Sequence, residues 1–272
     1  MKQSVKSIRL WDRDYSVLSL ISQAPYSVAQ IAELEFTSVK KASQRTKKYF
    51  DAGLANRLAG PCDCPQGKGE FIYWVSNKGR SIVSGGSAKA FYGSANVRQW
   101  SAARINHQLQ INQFHVSMEL FCRQAKNLKC EFFHSCRHSG GLREMGLIPD
   151  AILILRNERL KKRLLHFVEV DLGTEPIQGD DSSSIETKLN KYLEYFDSAG
   201  YDKDFPGMQG FRVLFVVDGS KRAGSIMKLA DEMQTSFVLA TTLDAVNSES
   251  VCREIWLSPT CNSKVRLIKS LD

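Results

Sequence analysis

The sequence has no apolar run long enough to span a membrane. It also has no early segment in which a basic start leads into an apolar stretch. A spanning helix needs about 20 mostly apolar residues, and a secretory leader needs the second pattern. The chain is therefore expected to be cytoplasmic, with no membrane partner. An even set of cysteines is missing too. The seven present are scattered as Cys62, Cys64, Cys122, Cys130, Cys136, Cys252 and Cys261, which suits reduced thiols better than a disulfide framework. There is no internal repeat and no low-complexity tract, which argues against a repeat array or a disordered polar chain.

What remains is an ordinary globular composition. With 272 residues, 43% hydrophobic and 10% aromatic, the chain can build one large domain or two small ones around a real core. The formal net charge of +8 is a modest pointer to a polyanion such as nucleic acid.

The most informative stretch is residues 148–175, which reads as a β-hairpin. Residues 151–155 and 164–170 are apolar and partly β-branched, as strands buried on both faces are. Residues 157–163 form a polar, basic tip. Acids sit at the ends of these apolar runs. Asp150 opens the first strand, and Glu169 and Asp171 flank Val170 at the end of the second. Residues two apart on a strand share a face, and the hairpin brings Asp150 opposite them. Converging carboxylates repel one another and resist burial, so they require a cation or a shared proton. A hard divalent ion, Mg²⁺ (or Mn²⁺), is the usual partner. The bland alternative is that one or two of these acids cap strand ends in solvent. Glu175, Asp180 and Asp181 read as solvated loop acids.

Ahead of the hairpin, residues 13–22, 28–35 and 39–52 read as three helices. Pro25 breaks the first, Ser27 and Ser38 are N-caps, and Gly53 follows the third as a C-terminal glycine. The third helix carries Lys40, Lys41, Gln44, Arg45 and Lys48. Such side chains suit phosphate contact and base-edge reading in the major groove of double-stranded DNA. Residues 54–58 and 71–75 read as the strands of a wing. The loop between them holds Cys62 and Cys64, with no further zinc ligands nearby. Residues 1–84 therefore look like a winged helix-turn-helix domain, with a merely solvated basic face or a protein-docking role as alternatives. A Gly-, Ser- and Ala-rich stretch places a linker over 85–103.

The second domain is expected over 104–272. A long helix at 104–128 carries His107, His115 and Glu119. A strand at 130–135 and the hairpin follow, then helix 185–199, strand 211–217, helix 223–234, and strands 237–241 and 253–257. A meander followed by helix–strand units is a mixed α/β sheet flanked by helices. Cys130, His134, Cys136 and His138 read as ordinary thiols and histidines rather than a zinc cage.

Pro149-Asp150 and Glu169-Val170-Asp171 resemble the PD-(D/E)xK nuclease superfamily, the restriction-endonuclease-like fold, with Asp171 where that pattern has Lys. The resemblance implies that Lys188 or Lys191 on the following helix supplies the cation. The replication-relaxation family of plasmids and mobile elements, to which MOBC-type relaxases are related, is more closely similar. That likeness rests on His107, Leu109 and Asn112, on Leu-Ile-Pro-Asp-Ala at 147–151, on Phe-Val-Glu-Val-Asp-Leu-Gly-Thr-Glu at 167–175, and on Lys188, Tyr192 and Tyr195. It implies a metal-dependent DNA endonuclease or nickase at a plasmid or mobile-element origin. Such a protein would work beside transposition, replication or conjugation proteins, and a homodimer is left open.

On this reading Asp150, Glu169 and Asp171 hold metal, and Glu119 completes a second metal site. Lys188 orients the attacking water or stabilises the phosphate. His107 acts as a general acid or phosphate contact. A tyrosine nucleophile at Tyr192 or Tyr195 is a lesser option beside a place in the core. Two other readings stand beside it. One is a non-catalytic DNA-binding origin or regulatory factor with a degenerate nuclease fold. The other is a protein-interaction module.

Overall fold

The computed structural model describes residues 8–61, 69–83, 97–134, 141–179 and 184–268. Cys62, Cys64, Cys136, His138, Asp180, Asp181 and most of the expected linker lie outside the described residues. The chain divides into two compact units, Met1–Val116 and Ser117–Asp272. The border falls inside a long helix, later than the residue 104 at which the sequence places the second domain. Among the described residues, no helix is long and apolar enough to cross a membrane.

The first unit contains α1 (Asp12–Gln23), β1 (Tyr26–Ser27), α2 (Val28–Glu35), α3 (Val39–Asp51), β2 (Ala55–Ala59), β3 (Phe71–Val75), α4 (Asn77–Val83) and the first half of α5 (Ala102–Gln124). The caps act as their residue types imply. The Ser27 hydroxyl accepts from Gln30 N–H (3.3 Å), and the Gln30 side chain accepts from Ser27 N–H (3.3 Å), a reciprocal capping box. Gly53 ends α3 at φ +71°, a left-handed conformation that glycine takes without strain. The three strands pair antiparallel in the order β1-β3-β2. With only two residues, β1 is too short to show a period in the sequence.

The first half of α5 is tied to this unit by polar bonds. Asn112 Nδ2 donates to Pro25 O (2.7 Å), Gln30 Nε2 donates to Leu109 O (2.7 Å), and Tyr26 OH bonds His115 Nδ1 (2.6 Å). Asn112 is fully buried. It satisfies a main-chain carbonyl just past α1 that would otherwise be stranded.

The second unit holds the rest of α5, then β4 (Leu128–His134), α6 (Gly141–Glu144), β5 (Ala151–Asn157), β6 (Lys162–Asp171), α7 (Ile185–Asp197), α8 (Gly200–Asp204), β7 (Phe211–Val217), α9 (Ser220–Glu232), β8 (Val238–Thr242), β9 (Glu254–Ser258) and β10 (Cys261–Arg266). These strands form one seven-stranded sheet in the order β10-β9-β8-β7-β6-β5-β4. Two joints, β6–β7 and β7–β8, are parallel, and the others are antiparallel. The parallel joints are the ones reached through helices, because a parallel return needs a crossover. The result is a mixed α/β fold whose large sheet is mostly antiparallel and flanked by helices.

One core cluster joins Ile152, Ile154, Leu165, Phe167, Val213 and Phe215 of the sheet to Leu189, Tyr192 and Tyr195 of α7 and Ile226 of α9. The hairpin is longer than its apolar residues suggest, since Arg163 still pairs with Arg156 and Lys162 with Asn157. Backbone pairing continues there past the point where the side chains turn polar.

A buried ion pair secures α3 against α1. Asp14, only 2% exposed, accepts from Arg45 Nε (2.8 Å), from Trp11 N–H (2.7 Å) and from Tyr49 OH. Burial alone would raise the Asp14 pKa, but Arg45, Tyr49 and Trp11 together hold it below the ordinary value of 3.8. Asp14→Ala should therefore destabilise the full chain by about 3 kcal/mol, because it strands the guanidinium. For a carboxyl whose folded pKa is depressed, this stabilisation is present above the ordinary value and fades as pH falls below it. Urea unfolding at pH 7 and pH 3 checks both. A loss under about 0.5 kcal/mol at pH 7 would mean the pair behaves as a surface pair.

Candidate functional site

On β6, alternate residues face α7 and α9. Leu165 and Phe167 enter the core, and Glu169 and Asp171 continue the same face at the strand end. Glu169 is 2% exposed and Asp171 4%. Ala151 pairs with Val168, so Asp150 stands one step beyond the ladder, level with Glu169. Its Oδ2 accepts from Val170 N–H at 2.8 Å.

The helix that meets Glu169 starts where its sequence says it should. Ser184 caps α7 by accepting from Thr187 N–H (3.1 Å). The loop before it is pinned by Ile185 N–H to Pro176 O and Glu186 N–H to Ile177 O, both 3.0 Å. Lys188 and Tyr192, four apart, share a helix face. Lys188 Nζ donates to Glu169 Oε2 (3.0 Å) and to both oxygens of Glu175 (3.0 and 2.9 Å). Tyr192 OH donates to Glu169 Oε1 at 2.6 Å.

The electrostatics follow from this arrangement. Burial pushes the Glu169 carboxyl up to about 7; Lys188 opposes the rise and the Asp150 charge adds to it. Burial pulls the Lys188 ammonium down, but Glu169 and Glu175, with Asp150 near them, outweigh it and hold Lys188 above the ordinary lysine range.

Asp171 is occupied elsewhere. Arg222 Nε donates to its Oδ2 (2.6 Å), and Gly173 N–H to its Oδ1 (2.8 Å). The other arm of Arg222 reaches Glu175 O (2.6 Å). Asp171 thus anchors the loop that carries Glu175. Among the described residues, no three or more His, Cys, Asp or Glu side chains are grouped to hold a metal ion. The three-carboxylate cage expected from Asp150, Glu169 and Asp171 is therefore not formed. Glu119, expected to complete a second metal site, is held by Arg123 Nε (2.9 Å) and by the Cys130 thiol (2.9 Å).

Other expected residues fall as follows. Lys188, not Lys191, reaches the acids, while Lys191 Nζ donates to Gly146 O (3.2 Å). Tyr192 and Tyr195 are fully buried core residues. The Tyr195 hydroxyl donates to Asp204 (2.9 Å). His107 is half-buried on the part of α5 that belongs to the first unit. On α3, Lys40, Lys41, Gln44 and Lys48 are exposed. Arg45 is instead committed to Asp14, which corrects its reading as a DNA contact.

Two residues of the site were missed. Glu175 was read as solvated, yet it lies one helical link away, through Lys188, from Glu169. Arg222 sits 51 residues from Asp171, and no local pattern marks it.

A raised carboxyl pKa means the folded protein keeps a proton that the unfolded chain releases, so wild-type stability should fall as pH rises from 4.5 through about 7. Glu169→Gln removes that dependence. The variant should melt higher than wild type at pH 8, with the advantage fading toward pH 4.5. Calorimetric melts at the two pH values check it. A lower melting point at pH 8 would show that the charged Glu169–Lys188 contact is there for stability.

The replication-relaxation family model matches residues 19–209. That span runs from α1 to the residue before the β7 approach and includes Asp150, Glu169, Glu175 and Lys188. No curated protein matches the chain, and no solved structure does. The match covers well over half of the sequence, and the chain belongs to the replication-relaxation family.

Proposed function

We propose that this protein is a divalent-metal-dependent DNA nickase of plasmid or mobile-element replication, brought to DNA by its N-terminal unit. The observation that carries the reading is the Lys188 ammonium, 3.0 Å from a buried Glu169 that stands level with Asp150. In the nuclease pattern a lysine follows the acid by two residues. Here that place holds Asp171, and the cation comes from α7 instead.

Asp171 is matched by Arg222, and Asp150, Glu169 and Glu175 lie about the Lys188 ammonium. Mg²⁺ is commonly held by one or two carboxylates, with water and substrate phosphate filling the other positions. Asp150 and Glu169 fit that donor set without an all-protein cage. A divalent ion there would activate water and offset charge growing on the scissile phosphate.

The chain's own groups have distinct tasks. Lys188 stabilises the phosphate as charge develops on it. Glu175 contacts the ammonium through both oxygens, so Lys188 would keep a partner if Glu169 held a metal ion. Tyr192 orients Glu169 from within the core. In the N-terminal unit, three helices and a small antiparallel sheet are consistent with a winged helix. The exposed Lys40, Lys41, Gln44 and Lys48 of α3 suit phosphate and base-edge contact with double-stranded DNA.

A second reading is a DNA-binding origin factor without catalysis. It is favoured by one observation: both Glu169 oxygens are already engaged. A supercoiled plasmid carrying an element origin separates the two. With Mg²⁺ or Mn²⁺ the wild type should nick it, and Asp150→Ala and Lys188→Ala should each slow nicking by about 100-fold or more while retaining DNA binding. Binding with no nicking in either metal would leave the second reading standing.

A further inference from the structure

The carboxylates occupy the end of β6. The start of the same strand overhangs β7, because the parallel ladder begins only at Leu165 and Phe211. Under the overhang is a cavity of about 420 Å³ lined by Lys161, Lys162, Arg163, His166 and Arg212, with glycines and Gln209 opposite. No carboxylate is among the lining residues. Asp202 comes near the wall, accepting from Gly207 N–H at 3.4 Å. Among the described residues, none of the four cations has an ion-pair partner. Cations gathered in a concavity without counter-charge raise the local potential and attract anions.

Two further observations mark the place as built rather than incidental. His166 lines the cavity yet is only 1% exposed; its ring lies against the Leu153 and Leu164 backbones, but Nδ1 makes no well-formed hydrogen bond among the described residues. A buried polar atom left without a partner is unusual and points to a missing one. Burial holds this imidazole down to about 3 and Arg212 adds to the effect, against the opposing pull of the Leu153 and Leu164 backbones. Lys161, for its part, sits at φ +50°, a left-handed conformation that long side chains seldom take. Arg212 is fixed by donating to Leu267 O (2.9 Å).

We propose that this cavity binds a phosphate group, separate from the carboxylate cluster and independent of whether the protein nicks DNA. The four cations meet the charge, and an anion beside His166 supplies the partner its ring nitrogen lacks. The phosphate comes either from a nucleotide or from the backbone of a single strand, and the volume admits both.

The test uses the full chain with ¹⁵N-labelled histidine, titrated with inorganic pyrophosphate and, separately, with a ten-residue oligothymidylate. Calorimetry gives the affinity, and the ring signals of the five histidines show where binding occurs. Lys162 and Arg163 are exposed, so Lys162→Ala/Arg163→Ala leaves the core intact. The expected result is saturable binding that moves one histidine signal. The double variant should weaken it about tenfold or more, as loss of a charge-assisted contact implies, and Lys162→Arg should retain it. If pyrophosphate binds in this way, free nucleotides can supply the phosphate. If only the oligonucleotide does, the source is a strand. Undiminished affinity of the double variant for both probes, or no histidine signal moving at saturation, overturns the proposal.

Discussion

The Lys188 ammonium, held between Glu169 and Glu175, is the contact on which the second unit's polar centre depends. Glu169 enters the same face of β6 as Leu165 and Phe167, and an ionised carboxylate there would be costly without a cation. Lys188 can reach it only because Ser184 fixes the start of α7 and the 172–179 loop folds back onto it. That loop is in turn held by Arg222, which joins Asp171 to the Glu175 carbonyl. Strand end, loop, α7 and α9 thus converge on one charged network.

The same network gives Asp171 its place. Asp171 has taken a structural task with Arg222. The cation beside the strand-end acid Glu169 is Lys188 of the following helix. Asp150 remains level with Glu169 at the strand end, where its Oδ2 accepts from Val170 N–H. The raised Glu169 pKa belongs to the same picture. Sites that carry out chemistry often hold groups whose burial works against stability.

The hairpin was legible because its strands are long apolar runs with acids at their ends. Helices α2 and α3 were legible because Ser27 and Ser38 are caps and Gly53 is a stop. The ends were not. Lys162 and Arg163 look like a turn but remain in the ladder, since backbone pairing ignores side-chain polarity. β10 reads Cys-Asn-Ser-Lys-Val-Arg and carries no apolar alternation. In the site, Asp150 and Glu169 stood out as acids at the ends of apolar strands and Lys188 through the resemblance, and the fold brings Lys188 to Glu169. The Arg222–Asp171 pair was not legible, because it spans separate elements and depends on packing. Arg45 misled for the opposite reason: a basic residue on an exposed-looking helix was turned inward by Asp14.

The central claim is that Lys188 serves catalysis while Asp150 and Glu169 hold the divalent ion. Calorimetric titration of Mn²⁺ into wild type and Lys188→Met separates these tasks. Removing the ammonium leaves the carboxylates uncompensated, so Lys188→Met is expected to bind Mn²⁺ at least as tightly as wild type and to have lost nicking. Failure of both proteins to bind Mn²⁺, or nicking that survives in Lys188→Met, would contradict it.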